Sequence, residues 1–170
     1  PSSAASDVYK RQGWNLITIP VENNLTAKSL IENITGCNVV YAWDAANDTY
    51  KIFTSNSPSD QDFRILPGVG YFIGTSNDTL FSVSGAPITE VAVHLYVGWN
   101  LIGWYKEETK ASSIIENITG CKVVYAWDAV NDTYKIFTSN SPPSQDFIIK
   151  KGDGIFISVE RESIWHGEGY

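Results

Sequence analysis

One sequence block occurs twice in this chain of 170 residues. Cys37–Phe63 recurs as Cys121–Phe147 with four substitutions in 27 positions. The shorter motif Gly-Trp-Asn-Leu-Ile begins at Gly13 and again at Gly98. A long repeat of this kind indicates that one structural unit is built twice, and neighbouring copies in such arrays bury a shared surface. The chain is therefore constrained to fold as two similar units.

The twelve residues before the first copy, Pro1–Gln12, are expected to lie outside the fold. Asp7–Gln12 resembles the translation of an adapter used in sequencing-library preparation, which would make the source environmental DNA. The predicted organisation is an adapter-derived or disordered tail at 1–12, a first module at 13–87 and a second module at 88–170. On this interpretation the first module lacks the leading strand that precedes Gly98 in the second.

Each module is predicted to be α+β and β-dominated, with about five or six strands and one short helix. Val39–Trp43 and Thr49–Thr54 are rich in β-branched and aromatic residues and flank a turn-rich segment, which is typical of a hairpin. Thr26 is suited to cap a helix that runs to Ile34, with an equivalent helix from Thr109 to Ile118.

Trp14–Val21 is predicted to be a strand with apolar side chains on both faces. Such strands are usually covered on both sides. We therefore expect Trp14 and its counterpart Trp99 to belong to the core.

The amino-acid composition limits the classes of partner that this chain is expected to bind. The formal net charge is −7 and the isoelectric point is near 4.7, which argues against nucleic acid. No apolar run approaches the roughly 20 residues that a membrane helix needs, so no membrane insertion is expected in this segment.

The order of motifs resembles a known type of module. Gly13-Trp14-Asn15-Leu16-Ile17, a short helix, Val39–Asp44 and Pro67–Ile73 follow one another as in the Trp-initiated tandem repeats of archaeal and bacterial cell-surface proteins, including S-layer-associated and adhesin-like ones. The resemblance implies an extracellular or cell-surface location, a structural or adhesive role, and neighbouring repeats or other cell-surface proteins as partners. It implies no catalytic residue.

The chain carries six Asn-x-Ser/Thr sequons, which mark sites of glycosylation when they are exposed in an exported protein. The sequon asparagines are Asn24, Asn33, Asn47, Asn77, Asn117 and Asn131. We expect Asn47 and Asn131, at the hairpin tips, to be the best acceptors.

Trp43 and Trp127 lie in the predicted hairpins, where an exposed indole could stack on a sugar ring. The alternative is core packing, because tryptophan buries a large apolar area. A carbohydrate-binding module that uses exposed Trp or Tyr, with polysaccharide as the ligand, is therefore the alternative to a purely structural role.

No other set of residues in the sequence indicates catalysis or the binding of a metal or cofactor. Cys37 and Cys121 are expected to be buried free thiols, with a disulfide as the alternative. Asp44, Asn47 and Asp48 could gather oxygens around Ca²⁺, but turns favour the same residues. The two histidines, His94 and His166, have no repeat equivalents. The sequence thus predicts neither an enzyme nor a cofactor nor a metal.

Overall fold

The structure is a computed structural model that describes residues 4–170, with side chains from Lys10 onward. The predicted α+β, β-dominated class is confirmed, because antiparallel strands far outnumber the two helices. The strands are β1 (Ala4–Lys10), β2 (Gly13–Ile17), β3 (Cys37–Asp44), β4 (Thr49–Thr54), β5 (Tyr71–Thr75), β6 (Thr79–Gly85), β7 (Val93–Leu95), β8 (Gly98–Gly103), β9 (Thr109–Lys110), β10 (Cys121–Asp128), β11 (Thr133–Thr138), β12 (Ile148–Ile149), β13 (Gly154–Val159) and β14 (Ser163–Trp165). The helices are α1 (Ala27–Asn33) and α2 (Ala111–Asn117), with 3-10 turns at Ser59–Gln61 and Pro143–Gln145.

Two four-stranded antiparallel sheets carry the fold, and their strand orders correspond. The sheet in the first half of the chain (residues 13–87) has the order β2-β5-β3-β4. The sheet in the second half (residues 88–170) has the order β8-β13-β10-β11. In each, the predicted hairpin is present and the Trp-initiated strand forms an edge.

Helix α1 begins at the predicted cap. The Thr26 hydroxyl accepts a hydrogen bond from the Ser29 amide, and the Ser29 hydroxyl accepts one from the Thr26 amide. This reciprocal pair satisfies donors that the first turn of a helix leaves free. In the second half Lys110 takes the cap position without a side-chain cap, and Thr109 instead belongs to β9.

Each sheet has one face packed on its helix. In the first half, Ile17, Leu30, Val40 and Ile73 are buried together between sheet and helix. The equivalent core of the second half includes Trp104, which is fully buried. Burial of aliphatic side chains on this face accounts for the helix position, since a seven-residue helix is not stable alone.

The opposite faces of the two sheets meet each other. Leu16 and Phe72 from the first half are buried against Leu101 and Phe156 from the second. The helices therefore lie outside and the two sheets inside, in four layers.

Reciprocal backbone hydrogen bonds join the halves at this contact. The Thr18 amide donates to the Gly152 carbonyl at 2.9 Å, and the Gly103 amide donates to the Gly68 carbonyl at 2.8 Å. Thr18 and Gly103 follow the same repeated motif, so the two bonds are related by exchange of the halves. The halves are thus arranged about an approximate two-fold axis.

The expectation that Pro1–Gln12 lies outside the fold is wrong for Ala4–Lys10, which form β1. This strand pairs antiparallel with β6, from Ala4 opposite Gly85 to Lys10 opposite Thr79. The physical reason is that, among the strands that the structure describes, β6 pairs with β1 alone, and an otherwise unpaired edge binds an extended segment through its backbone. Pro1–Ser3 lie outside the described residues.

Candidate functional site

Aromatic side chains cover the face of each sheet that points away from its helix. Successive residues of a strand point to opposite faces. On β3 the aliphatic Val40 therefore faces α1, whereas Tyr41 and Trp43 face the other half. Trp43 lies opposite Tyr50 across the hairpin, with ring centroids 4.9 Å apart and ring planes at 70°.

Ten such side chains from the two halves form one surface, which we name the aromatic cleft. It consists of Trp14, Tyr41, Trp43, Tyr50 and Phe72 with their repeat equivalents Trp99, Tyr125, Trp127, Tyr134 and Phe156.

Edge-to-face contacts connect the two sides of the cleft. Trp43 meets Phe156 with ring centroids 5.8 Å apart and planes at 80°. Phe72 meets Trp127 at 5.7 Å and 83°. The positive ring edge of one partner lies against the negative face of the other, which is a favoured geometry for aromatic pairs. The same contact thus occurs twice, once in each direction.

Two indole hydrogen bonds cross between the halves in the same reciprocal way. Trp43 Nε1 donates to the Trp99 carbonyl at 2.9 Å, and Trp127 Nε1 donates to the Trp14 carbonyl at 2.8 Å. Each hairpin tryptophan therefore binds the backbone of the other half at the start of its Trp-initiated strand. These bonds fix the distance between the hairpin of one half and the edge strand of the other.

Two adjoining hollows open from the cleft. One of about 270 Å³ is lined by Trp43, Tyr50, Trp99, Tyr125, Tyr134 and Phe156. The other, of about 200 Å³, is lined by Trp127, Tyr134, Trp14, Tyr41, Tyr50 and Phe72. Exchange of the halves converts each set into the other. Tyr50 and Tyr134 line both hollows, so the two sites share a wall.

Among the residues whose side chains the structure describes, those lining both hollows are uncharged, and their polar side-chain groups are tyrosine hydroxyls and indole N–H groups. Burial raises the pKa of Tyr50 to about 12, and the nearby Tyr134 and Tyr41 act in the same direction. Burial also raises the pKa of Tyr134. These hydroxyls therefore stay protonated at neutral pH and can donate hydrogen bonds.

The predicted tryptophans lie in this cleft, but not as a flat exposed row. Trp43 and Trp127 are half-buried, and their ring planes are steeply inclined to their neighbours. The prediction that Trp14 and Trp99 are core residues is wrong, since Trp14 is 37% exposed and Trp99 is half-buried. The reason is its position along the strand: burial in β2 begins only at Asn15, and Trp14 lies at the outer end, where it lines a hollow that opens to solvent.

Sequence reasoning considered exposed tyrosine together with tryptophan for sugar stacking but did not single out the tyrosines of the cleft. Tyr41 and Tyr50 share a face of the hairpin with Trp43, and the repeat preserves all three as Tyr125, Tyr134 and Trp127. The signal that could have found them is the alternation of aliphatic and aromatic residues along β3, which separates a helix-facing side from an aromatic side.

The sequon asparagines are all exposed: Asn24, Asn33, Asn47, Asn77, Asn117 and Asn131. Four of them donate local hydrogen bonds through their side-chain NH₂ groups, and Asn77 Oδ1 accepts one from the Ser76 hydroxyl. Asn33 and Asn117 donate to carbonyls one helical turn earlier, and Asn47 and Asn131 donate to Asp44 and Asp128. Attachment of a glycan would compete with these local bonds.

The acidic turn between β3 and β4 is held by its own hydrogen bonds. Asp44 accepts from both the amide and the side chain of Asn47, which lowers the pKa of Asp44. Asp48 adopts a φ of 54°, a left-handed conformation that aspartate tolerates in turns. Among the described residues, no group of three or more His, Cys, Asp or Glu side chains is placed to hold a metal ion.

The two cysteines are buried free thiols. Each lies where a helix ends and a central strand begins, and each contacts a carbonyl two residues later. Burial raises the pKa of Cys37 and of Cys121 to about 11.

Neither histidine lines the aromatic hollows. His94 stacks on Tyr96 at 4.1 Å and lies 3.2 Å from the Glu162 carboxylate. His166 contacts the Val91 carbonyl.

The chain matches no protein-family model, no curated protein and no solved structure. No helix among the described residues is long and apolar enough to cross a bilayer. We therefore infer function from the arrangement of the halves and from the cleft between them.

Proposed function

We propose that this chain is a non-catalytic structural or adhesive segment of a secreted or cell-surface protein. The observation that carries the proposal is the reciprocal pair of indole hydrogen bonds, from Trp43 to Trp99 and from Trp127 to Trp14. Together with the buried Leu16, it fastens the halves into one body. Its partners would be neighbouring repeats of the same protein or other cell-surface proteins.

The location outside the cell is supported by the six sequon asparagines, all of which are exposed. A carbohydrate coat on these positions would leave the uncharged walls of the cleft untouched, since no sequon lines either hollow. Intact-mass measurement of the chain secreted from a glycosylating host tests this part of the proposal. An unmodified mass would remove its support.

Mechanical unfolding of the full chain tests the structural role. Pulled from its two ends in single-molecule force spectroscopy, a structural segment should resist as one body, because the hydrogen bonds between the halves must break before either sheet unravels. We expect one dominant force peak. Two independent low-force peaks would contradict the proposal.

Carbohydrate binding is a second candidate function, favoured by the two hollows whose walls are entirely aromatic. Aromatic faces in an open cleft are suited to the C–H faces of sugar rings. Intrinsic tryptophan fluorescence of the full chain, titrated with extracellular polysaccharides, tests it. A saturable shift would support binding, and a flat response across the panel would exclude it for those sugars.

A further inference from the structure

We propose that the aromatic cleft binds a neutral, linear polysaccharide in two adjoining subsites, an inference that rests on the carbohydrate-binding candidate above. The first step concerns the rings. Aromatic faces are electron-rich and attract polarised C–H groups. The C–H faces of a pyranose ring meet that requirement, and each hollow presents two tryptophans and three tyrosines.

The second step concerns the hydroxyl groups. Those of Tyr41, Tyr50, Tyr125 and Tyr134 form no hydrogen bond with any side chain or backbone group in the part of the chain that the structure describes. A wholly apolar partner would remove them from water without offering a replacement, which costs free energy. A sugar offers hydroxyl groups beside its C–H faces, so it satisfies the rings and the phenols together.

The third step concerns charge. Neither hollow contains a Lys, Arg or His that could pair with an anion. The chain carries a net charge of −7, which repels acidic polymers at low salt. The cleft is therefore matched to neutral sugars rather than to uronic acids.

The fourth step concerns number. The two hollows are equivalent under exchange of the halves and share Tyr50 and Tyr134 as a common wall. A chain of several sugar units can occupy both at once, so the second contact forms at a high effective concentration. A disaccharide has only two rings with which to contact the walls of both hollows. Affinity should therefore rise steeply with chain length.

The experiment is isothermal titration calorimetry of the full chain with cellohexaose, chitohexaose, cellobiose and hexagalacturonate. We expect one of the two neutral hexasaccharides to bind at least about tenfold more tightly than its disaccharide, as two linked contacts predict. Hexagalacturonate should bind most weakly.

The matched variants are Tyr50→Phe and Tyr134→Phe, which remove only the hydroxyl group, and Tyr50→Ala with Tyr134→Ala, which remove the shared wall. Tyr96→Phe serves as the control, because Tyr96 lines neither hollow. Circular dichroism confirms that each variant is folded. Weakened binding in both phenylalanine variants, with Tyr96→Phe unchanged, supports the proposal.

The remaining outcomes test separately the neutral charge of the sugar, the paired subsites, the position of the site and carbohydrate binding itself. Binding of hexagalacturonate alone overturns the neutral-sugar inference but leaves carbohydrate binding standing. Equal affinity for short and long neutral chains overturns the paired subsites. Binding that the tyrosine variants do not alter places the sugar elsewhere. No binding to a wider panel of polysaccharides overturns both the inference and the candidate function beneath it.

Discussion

Lys10 of β1 lies beside the first half in the position that Leu95 of β7 occupies in the second half. Each ends its leading strand, with Lys10 opposite Thr79 on β6 and Leu95 opposite Ser163 on β14. Leu95 is fully buried, and Lys10 is only 8% exposed. A site that suits a leucine in one half thus holds an ammonium group in the other. Desolvation lowers the pKa of Lys10 to about 8, against a weaker opposing effect of Asp153.

Lys10→Leu should therefore stabilise the protein. Burial of a charged group is costly, and the pKa of Lys10 in the folded protein, about 8, lies below its ordinary value of 10.5. The unfolded chain thus holds the proton more tightly, so the penalty is fully present below pH 8 and is relieved as pH rises from 8 towards 10.5. We expect a gain of about 2 kcal/mol in the free energy of unfolding at pH 7.

Urea denaturation of both proteins at pH 7 and at pH 10.5 measures this gain and its loss with pH. Lys28→Leu, at an exposed position of α1, is the control and should change little. A gain that is the same at both pH values would show that the charge of Lys10 is not the cause.

Trp43→Phe should destabilise the chain more than Trp127→Phe. Both remove an indole donor and leave the carbonyl of Trp99 or Trp14 without it. The first bond is partly buried and the second is exposed, so water can replace only the second readily. We expect a loss of about 1–3 kcal/mol for Trp43→Phe and less for Trp127→Phe.

Chemical denaturation with near-ultraviolet circular dichroism checks this order. Tyr96→Phe supplies the control for loss of an aromatic polar group outside the cleft. Equal and negligible losses in both tryptophan variants would mean that the indole bonds do not hold the halves together.

Gly70→Ala and Gly154→Ala should each weaken the contact between the halves. A Cβ at Gly70 would lie 2.8 Å from the Ile102 carbonyl, and one at Gly154 would lie 3.0 Å from the Ile17 carbonyl. A backbone atom yields less readily than the end of a flexible side chain, so the sheets must shift at Gly70, and the neighbouring backbone must give by a few tenths of an ångström at Gly154. We expect a loss of about 1–3 kcal/mol from each.

Thermal unfolding measures the loss, and Ser55→Ala, at an exposed position of a turn, provides the control. Melting temperatures of both glycine variants that match the parent would show that the sheets tolerate a wider spacing.

Cys37 and Cys121 should resist thiol reagents in the folded protein. Both are buried, and their pKa values of about 11 keep the reactive thiolate scarce at pH 8. Labelling with a disulfide reagent should be slow in buffer and complete for both thiols in denaturant. Rapid labelling of either thiol without denaturant would show that its strand opens readily.

Local features of the sequence predicted much of the fold. The capping residue Thr26 and the β-branched strands of the hairpin act over short distances, and they appear as expected. The cleft could not be predicted in the same way. Its position depends on which face of Trp14–Ile17 meets the other half, and a strand with apolar residues on both faces leaves that choice open.

The N-terminal strand shows a different limit. The composition of Pro1–Gln12 suggested a tail, yet pairing with β6 uses backbone groups that every residue except proline provides. Lys10 is buried at the position where the second half has the apolar Leu95, so its charged side chain does not suit the site.

The approximate two-fold contact also has a consequence for longer chains of this kind, because it depends on the number of repeat copies. The aromatic face of one copy packs against the same face of another, so the copies associate in pairs. A polypeptide with an even number of copies can satisfy all of them internally. A polypeptide with an odd number of copies would leave one aromatic face uncovered. Only a second molecule that also has an unpaired copy could cover that face. The parity of the repeat number would then decide whether such a protein remains solitary or links to its neighbours.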